Sequence, residues 1–403
     1  MASMTVAEAL ALVLREAAPL PAESVALAQA HGRVLADDLA ALRTQPPADV
    51  SAMDGYAVRA ADIGEVPASL ALVGEVAAGR PFAGTVGPGE AARIFTGGVM
   101  PAGADTVVIQ EHTSRADGRV LVEKPTDKGR NVRPKGLDFA AGTVLLRRGQ
   151  RLSARDVALA AAMNHPKVGV HRRPKVAVLA TGDELVMPGS TPGAGEIVYS
   201  NGFATLALAE REGCETLDLG IAPDRLPETA AAIRSARASG ADILVTSGGA
   251  SVGDYDLVQQ ALGGEGLALS FWKIAMRPGR PMLHGRLGAM HVLGLPGNPV
   301  SAFVGAFLFL VPLIRRLMGR TDIERVPEPA VLGCDLPEND ERTDYLRATL
   351  RPGPDGSQIA TPHPLQDSSM LVPLAAADCL LIRAPHAPAA RAGSPCAILK
   401  LGL

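Results

Sequence analysis

The sequence predicts a multidomain α/β plus β protein, and three observations carry this prediction. Its 403 residues exceed what one hydrophobic core usually holds, so several domains are expected. Over residues 174–325, strand-like runs alternate with helix-like runs, which is typical of a three-layer α/β domain with a mostly parallel sheet. Residues 44–145 and 326–403 carry short β-like runs between glycines and prolines, which indicates an inserted β-rich domain and a C-terminal β-barrel-like domain.

The remaining segments, 1–43 and 146–173, predict a discontinuous helical domain. Thr5-Val-Ala-Glu8 has the form of a capping box, and the apolar residues after it fall on one helical face. A second helix is expected over residues 153–163, opening with Ser153-Ala-Arg-Asp156. Between them, three short runs predict strands of the insertion: Leu70–Val73, Thr106–Ile109 and Val120–Val122.

The central region is the clearest part of the pattern. It contains two predicted strands and two predicted helices, at Val176–Leu179, Ile243–Val245, Asn201–Glu212 and Leu226–Ala238. Ligand loops of such a domain lie at the carboxyl ends of the parallel strands. Pro327 and Pro329 are expected to mark a linker to the last domain.

Composition and charge exclude several classes. A net charge of −3 argues against a general nucleic-acid binder. The four cysteines form no Cys-x-x-Cys pair, which fits a reduced cytoplasm and gives no sign of a zinc site. The N-terminus has no basic region followed by a long apolar one, so no secretory signal is expected.

A membrane helix has to be considered between Leu287 and Ile314, a stretch without charged residues. Pro296, Asn298 and Pro299 interrupt it, and what remains is shorter than the roughly 20 residues that span a bilayer. The segment from Ser301 to Leu317 is therefore predicted to be a buried helix, and no membrane partner is expected.

The first candidate site follows the strand Ile243–Val245 directly. Glycines let a backbone approach an anion closely, hydroxyls donate to it, and aspartates suit a hard cation such as Mg²⁺. The alternative is a βα turn that needs glycine for its geometry alone. The combination on one loop favours phosphate binding and comprises Thr246, Ser247, Gly248, Gly249, Ser251, Gly253, Asp254 and Asp256.

A second loop, Gly294–Ser301, is made rigid by Pro296 and Pro299 on either side of Asn298. Between the two loops, three cations stand close together in sequence: Lys273, Arg277 and Arg280. Cations beside rigid loops suit an anionic ligand, although each one alone would be an ordinary surface charge.

Other candidates are weaker on spacing alone. Asp54 stands in an Asp-Gly turn, and Thr181-Gly-Asp-Glu184 follows a strand; both patterns also occur in ordinary turns. Residues 124–138 carry five cations, a pattern of either a solvated face or an anionic cleft, and end at Asp138. The histidines show no metal-ligand spacing. Gly249–Gly253 has the letters of a nucleophile elbow, but the preceding Thr-Ser-Gly favours a phosphate loop.

Five stretches together resemble the molybdopterin molybdenumtransferase family, which includes bacterial MoeA and the E domain of gephyrin. They occur in the family's order and span nearly the whole chain: Ser51–Ala57, Thr96–Gly98, Thr181–Leu185, Thr246–Gly253 and Leu295–Ser301. The resemblance implies the last step of molybdenum cofactor synthesis. Molybdenum from molybdate enters adenylated molybdopterin, and AMP leaves in a reaction that needs Mg²⁺.

The resemblance also implies roles for particular residues. Those matching the family's active-site positions are Asp54, Thr96, Asp138 and Glu184. Asp224 and Asp256 match metal positions, and Arg347 and Ser368 match candidates for molybdate. The two loops and Lys273, Arg277 and Arg280 would bind the substrate, although many members have lysine at the two arginine positions.

Family members form elongated dimers, in which the inserted domain of one subunit faces the α/β domain of the other. The resemblance therefore implies a homodimer with a composite site, dimerising through the discontinuous domain. It also suggests contact with a molybdopterin adenylyltransferase and with maturation proteins of molybdoenzymes. Two alternatives remain: a non-catalytic scaffold of this fold, and an adenylyltransferase or CinA-like enzyme that shares only the Thr-Ser-Gly-Gly fold.

Overall fold

The computed structural model describes residues 4–77, 79–248 and 257–402. The N-terminal segment contains helix α1 (Val6–Arg15), strand β1 (Ala22–Ala26), a 3₁₀ turn (Leu27–Gln29) and strand β2 (Leu39–Ala40). The Thr5 side chain caps α1, and the Glu8 carboxylate accepts a hydrogen bond from the Thr5 N–H. The predicted capping box is therefore confirmed.

The insertion is a β-rich unit. Its strands are β3 (Val50–Ser51), β4 (Gly55–Val58), β5 (Ala68–Val76), β6 (Glu90–Ile94), β7 (Thr106–Ile109), β8 (Thr113–Ala116), β9 (Arg119–Val122) and β10 (Val132–Arg133). Short 3₁₀ turns lie at Ala60–Asp62 and Gln110–His112. Six strands form one sheet in the order β7-β4-β6-β5-β9-β8, and β10 pairs separately with β3. Two apolar clusters pack on this sheet, so β4 is buried along its whole length.

The chain then returns through β11 (Val144–Leu146), α2 (Ala154–Ala162) and β12 (Lys167–His171). β11 pairs with β2 and β12 pairs with β1, both antiparallel, around a shared apolar core. The two halves of the discontinuous unit thus meet. Ser153 and Asp156 form the capping box of α2. In its described residues the unit is less helical than predicted, because α1 packs instead into the α/β core, against the last helix of that unit.

The central unit has the predicted three layers. Its elements are β13 (Lys175–Thr181), β14 (Leu185–Val186), β15 (Ile197–Val198), α3 (Asn201–Glu212), β16 (Glu215–Ala222), α4 (Leu226–Ala238), β17 (Ile243–Ser247), α5 (Leu257–Gly264), β18 (Ala268–Trp272), β19 (Met276–Arg277), β20 (Leu283–Leu287), β21 (Met290–Leu295) and α6 (Pro299–Leu317). The sheet order is β16-β13-β17-β21-β20-β18, with the first four strands parallel. Separate apolar clusters cover its two faces. Helices α3 and α4 occupy the predicted residues.

Helix α6 is long and apolar enough to cross a membrane by length and composition. However, 78% of its most apolar stretch is buried inside the protein, where it packs against α1 and α3. A buried core helix is what the sequence predicts here, and the helix starts two residues earlier than expected, at Pro299. Its middle turn, Ala306–Leu310, is π-helical.

The C-terminal unit is a closed five-stranded barrel. It contains β22 (Glu328–Leu332), β23 (Thr343–Pro352), β24 (Gln358–Pro362), α7 (Leu371–Ala375), β25 (Cys379–Arg383) and β26 (Pro395–Lys400). The strand order β23-β24-β22-β26-β25 closes where β25 pairs with β23. The expected linker is shorter than predicted, because Pro329 already lies in β22. β19 of the α/β unit adds to β23 and so joins the two units.

Candidate functional site

Three predicted loops meet at one edge of the central sheet. In the parallel register, Leu179 lies beside Thr246 and Thr246 beside Gly294, so β13, β17 and β21 end together. The turn after β17 is closely packed: a Cβ on Gly248 would lie 2.4 Å from the carbonyl oxygen of Thr181. The φ of Gly248 is also +93°, a conformation that suits only glycine. This edge is where a doubly wound sheet binds its ligand.

Two buried hydroxyls at this edge have no hydrogen-bond partner among the described residues. They belong to Thr181 and Thr246, on neighbouring strands. An unpaired buried hydroxyl costs roughly 1–3 kcal/mol. Among the described residues nothing satisfies either hydroxyl, so both are available to a polar partner at this edge of the sheet.

The second loop is tied to the C-terminal barrel. The Asn298 side-chain amide donates to the Ser368 hydroxyl oxygen at 2.8 Å, and the Val300 N–H donates to the Ser368 carbonyl at 3.0 Å. Ser368 therefore lies beside the Pro296–Pro299 loop, as its assignment to a common site requires. Its own O–H has no acceptor among the residues that the structure covers, so it can donate to a ligand.

Arg347 has a different position from the one its assignment to molybdate suggests. It is 1% exposed, and its guanidinium donates to Gln366 and to the carbonyls of Asp367 and Met370. Burial lowers the pKa of Arg347. Its donors hold the loop that carries Ser368, so Arg347 acts through that loop rather than as a free anion ligand.

The loop after β13 contains two acids with distinct surroundings. Glu184 is exposed, and its carboxylate lies next to Gly182. A Cβ added to Gly182 would be 2.5 Å from the Glu184 Oε2 atom. Asp183 and Asp224 exchange hydrogen bonds, since each backbone N–H donates to the other's carboxylate. Asp224 is therefore brought to the same edge of the sheet as Thr181 and Glu184. Asn201 was missed by sequence reasoning; its amide donates to the Gly297 carbonyl at 2.7 Å.

The three predicted cations differ in the structure. Arg277 is already paired with Asp344 at the start of β23, and with Asp340 just before that strand at 3.2 Å. Its charge joins the α/β unit to the barrel, which corrects the expectation of three cations free for substrate. Lys273 and Arg280 are exposed, and neither forms an ion pair with a described residue.

The inserted unit holds the second group of predicted residues. Both the backbone N–H and the hydroxyl of Thr96 donate to one oxygen of Asp54, at 2.7 and 2.8 Å. These bonds hold the pKa of Asp54 below its ordinary value, with a smaller contribution from nearby Arg93. Asp54 is thus ionised at neutral pH. Its other carboxylate oxygen has no donor among the described residues.

Arg93 braces this corner of the insertion. Its guanidinium lies over the rings of Tyr56 and Phe95, 5.1 and 4.7 Å from their centroids. It also donates to the Gly55 carbonyl and to Gln110. Sequence reasoning missed it, because an arginine on a strand gives no local signal of such contacts.

The basic loop 124–138 lies beside Asp54. Its strand β10 pairs with β3, so Val132 lies opposite Ser51, three residues before Asp54. Farther along, the Asp138 N–H donates to the Gln45 carbonyl. The structure therefore brings the basic loop, Asp54 and Thr96 together in the insertion.

These two groups are not joined within the described chain. Hydrogen bonds and ion pairs of residues 44–145 stay within the insertion or reach the discontinuous unit, among the residues that the structure covers. The site therefore consists of an insertion half around Asp54 and a sheet-edge half around Thr246. Five predicted residues lie outside the described residues: Gly249, Ser251, Gly253, Asp254 and Asp256.

The described acids, histidines and cysteines form no cluster of three that would hold a metal ion by themselves. This does not conflict with Mg²⁺, which usually takes only one or two carboxylates and completes its shell with phosphate oxygens and water. Asp54, Glu184 and Asp224 are exposed carboxylates of that kind.

Fold and site together define a multidomain protein whose α/β sheet edge lies beside a loop of the C-terminal barrel, with a separate polar group in the insertion. Family models cover the chain in three parts: the MoeA N-terminal region (domain I and II) over residues 4–164, a probable molybdopterin binding domain over 177–316, and the MoeA C-terminal region (domain IV) over 329–401. The chain belongs to the MoeA family of molybdopterin molybdenumtransferases. The first and third matches lie outside the α/β unit, so the likeness is not limited to the α/β fold that other protein families share.

Relatives support the same assignment. A molybdopterin molybdenumtransferase of Nostoc sp. (strain PCC 7120) is 43% identical over 74% of this chain and 70% of its own length. One from Haemophilus influenzae is 37% identical over 82% and 81%. The crystal structure of a molybdopterin biosynthesis MoeA protein from Pyrococcus horikoshii superposes with a TM-score of 0.85 at 29% identity, covering 99% of this chain and 100% of that one.

Proposed function

We propose that this protein inserts molybdenum from molybdate into adenylated molybdopterin and releases AMP in a Mg²⁺-dependent reaction. The observation that carries the proposal is the sheet-edge half. There, beside the tight turn at Gly248, Thr181 and Thr246 have buried hydroxyls without a hydrogen-bond partner in the described part of the chain. Such a surface suits an oxygen-rich anion, as the phosphates of an adenylated pterin are.

Charge favours the same ligand. The 19-residue helix α6 starts at the end of the Pro296–Pro299 loop. Because a helix N-terminus attracts negative charge, this loop favours an anion. Lys273 and Arg280 add exposed cations on the neighbouring segment. These groups would bind and orient the phosphates, so the reacting phosphoanhydride is held in one position.

Asp54 would act as a carboxylate. Because Thr96 donates twice to one of its oxygens, the other oxygen is held in a fixed direction and remains free to accept a proton or a cation. Mg²⁺, when bound, would neutralise the charge that develops on the phosphate oxygens. Asp54, Glu184 and Asp224 are the carboxylates of this chain suited to hold it.

Molybdate is a tetrahedral oxyanion, so it needs hydrogen-bond donors and cations. The free O–H of Ser368 is one such donor, at the point where the barrel loop meets Asn298. Arg347 supports this loop from beneath through its bonds to Asp367 and Met370. We assign Ser368 to molybdate and Arg347 to the positioning of Ser368.

A homodimer would complete the site. Exposed apolar side chains flank both halves: Met53 and Leu137 directly precede Asp54 and Asp138, and Ile197 and Phe203 flank Asn201. Exposed apolar groups beside polar site residues are typical of interaction surfaces. In a two-fold assembly, the insertion half of one subunit would cover the sheet-edge half of its partner.

The cytoplasm is the proposed compartment. Cys214, Cys334, Cys379 and Cys396 all carry free thiols, which fits a reducing environment. The substrate would come from a molybdopterin adenylyltransferase, and the product would pass to maturation proteins of molybdoenzymes.

The test of the reaction is AMP release from adenylated molybdopterin with molybdate and Mg²⁺. Asp54→Asn should lower the rate by at least about 100-fold, on the scale of removing an essential charged group, and leave the melting temperature nearly unchanged. Asp117→Asn is the matched control, since Asp117 lies in a hairpin turn with φ of 49°, where asparagine fits as well. A wild-type protein that binds the substrate without AMP release would be a scaffold.

Mixing two inactive variants tests the composite site. Asp54→Asn damages the insertion half, and Asn298→Trp blocks the sheet-edge half. After subunit exchange, about half of the dimers are mixed, and each of these has one intact site, so roughly a quarter of wild-type activity should return. If mass-tagged chains exchange and no activity returns, each site is built within one chain.

A further inference from the structure

An arginine-rich cavity lies at the junction of the discontinuous unit and the α/β unit, in a part of the chain that the reaction site does not use. Its volume is about 530 Å³. One wall is the segment Arg147–Arg151, which returns from the insertion, and the other is Arg320–Asp322, just beyond α6. The walls meet where the Thr321 N–H donates to the Gly149 carbonyl at 3.3 Å.

The packing at this junction is tight. A Cβ on Gly149 would lie 2.8 Å from the Thr321 side chain and 2.9 Å from the Gly319 carbonyl. The φ of Gly149 is +80°, so glycine is required there on both grounds. The two walls are therefore held at a fixed separation.

Arg320 is the buried part of the cavity wall, with 7% of its side chain exposed. It donates to Glu212 at 2.7 Å and to Asp322 at 2.8 Å, and Glu212 also pairs with Arg315 at 3.0 Å. The buried acid is thus shared by two arginines. The negative charge of Glu212 is therefore neutralised by Arg315 and Arg320.

Of the three other arginines on the cavity walls, two form no ion pair with a described residue. Arg147 pairs with Asp38 at 3.0 Å. Within the described ranges, Arg151 donates only to the carbonyls of Gly32 and Arg211, and the Arg148 side chain has no hydrogen-bond partner. Burial lowers the pKa of Arg151, and the positive charge of Arg320 lowers it further. Arg148 and Arg151 therefore line the cavity without an ion pair to a described residue, and Asp322 is the one acid on its walls.

We propose that this cavity binds a small polyvalent phosphate anion, of the size and charge of pyrophosphate, between Arg148 and Arg151. Guanidinium groups match phosphate oxygens in geometry as well as charge. The cavity has no aromatic side chain on its walls, so nothing there would stack on a nucleobase.

Isothermal titration calorimetry of pyrophosphate into the full chain, at constant ionic strength, tests the proposal. The reaction site also attracts phosphate, so two binding events are expected. Arg148→Ala should weaken one of them about tenfold, the loss of one charge-assisted contact. The double variant Arg148→Ala with Arg151→Ala should abolish it, while Arg280→Ala should affect only the other event.

Arg115→Ala is the matched control, because Arg115 is an exposed arginine on β8 of the insertion; both events should be unchanged. Orthophosphate, AMP and ATP separate the sources of the anion: tighter binding with more phosphates, and no gain from the base, is expected. An unchanged isotherm for Arg148→Ala overturns the proposal. So does an oligoglutamate peptide that binds this site more tightly than pyrophosphate, since it would identify an acidic protein segment as the ligand.

Discussion

Asp54 in the insertion and Thr246 at the sheet edge are both polar side chains beside strands, yet their surroundings differ. Asp54 is exposed and has two hydrogen bonds from Thr96. Thr246 is fully buried and has none among the described residues. The insertion half is complete without a ligand, with a carboxylate fixed in charge and direction. In the sheet-edge half, the hydroxyls of Thr181 and Thr246 have no partner among the described residues, so a ligand would supply one.

This difference matters for catalysis. A preorganised charge needs no rearrangement when the reaction occurs. Unpaired buried hydroxyls, in contrast, cost stability until a ligand satisfies them. We therefore expect substitutions in the insertion half to change rates, and substitutions in the sheet-edge half to change binding and stability together.

The largest effect is expected at Gly248. Gly248→Ala places a Cβ 2.4 Å from the Thr181 carbonyl, in a turn whose φ is +93°. The variant should lose about 3 kcal/mol of unfolding free energy and at least about 1,000-fold in AMP release, because both the strain and the clash move the loop.

Gly240→Ala separates strain from clash. Gly240 has a φ of +74°, but a Cβ there meets nothing within 4 Å. It should cost only about 1 kcal/mol and leave activity intact. If both variants have equal activity, the close contact between Gly248 and Thr181 does not shape the ligand loop.

Acid should weaken the sheet-edge half first. His284 and His291 are buried in β20 and β21, with 3.2 Å between His284 Nε2 and His291 Nδ1. Arg286 donates to His291 Nε2 at 3.3 Å, so Nδ1 carries the proton that His291 donates to His284. An additional proton on the Nε2 atom of either histidine would face another N–H donor. Burial lowers the pKa of His284 to about 4 and that of His291 to about 3.

The sign follows from linkage. Unfolded histidine has a pKa near 6.5, so below that pH the unfolded chain binds protons that the folded chain does not. The stabilisation is complete above pH 6.5 and is lost as pH falls toward 3. Unfolding free energy should drop by roughly 2 kcal/mol or more between pH 7 and pH 5. Hydrogen exchange should increase in β17 and β21 before β4 and β6.

His291→Gln should flatten this pH dependence, because one of the two buried imidazoles is removed. His31→Gln is the control, since His31 is exposed. Equal protection of both halves at pH 5 would show that the histidine pair does not govern the acid stability of the α/β unit.

The two halves also differ in how well the sequence predicts them. The loops of the sheet-edge half were predictable, because the carboxyl ends of parallel strands must meet at one edge. Asp54, Thr96 and the basic loop were identified mainly through the family resemblance, since turns with Asp-Gly are common. Capping boxes and helix bounds were predictable because their signals are local.

What sequence reasoning missed depends on distant contacts. Arg277 pairs with Asp344, 67 residues away. Asn201 bonds to Gly297, 96 residues away. Helix α1 packs on α6, which lies far from it in the sequence. None of these partners is adjacent or periodic in sequence, so no local pattern indicates them. The roles of Ser251 and Asp256 remain predictions.

A moderate effect is expected at Thr96. Thr96→Val removes the hydroxyl donor to Asp54 and keeps the backbone donor, so the pKa of Asp54 should rise and yet stay below its ordinary value. AMP release should fall about tenfold, and the acid limb of its pH profile should move to higher pH. Thr96→Ser keeps the hydroxyl and should behave as wild type. A profile that does not move in Thr96→Val would show that the backbone bond alone sets the charge of Asp54.

The smallest effect compares two buried threonines, one in each half. Thr106 in the insertion accepts from the Gly129 N–H and donates to Asp105, both at 3.1 Å, whereas the Thr246 hydroxyl has no described partner. Thr106→Val should therefore cost about 1 kcal/mol of unfolding free energy and leave substrate binding unchanged. Thr246→Val should be neutral or slightly stabilising, since a methyl group replaces an unpaired hydroxyl, and should weaken substrate binding about fivefold, because the ligand loses a hydrogen bond. Chemical denaturation and equilibrium binding measure the two quantities separately. A Thr246→Val variant that is clearly destabilised, with unaltered affinity, would mean that the Thr246 hydroxyl is satisfied within the free protein, and the contrast between the two halves would fail at its central residue.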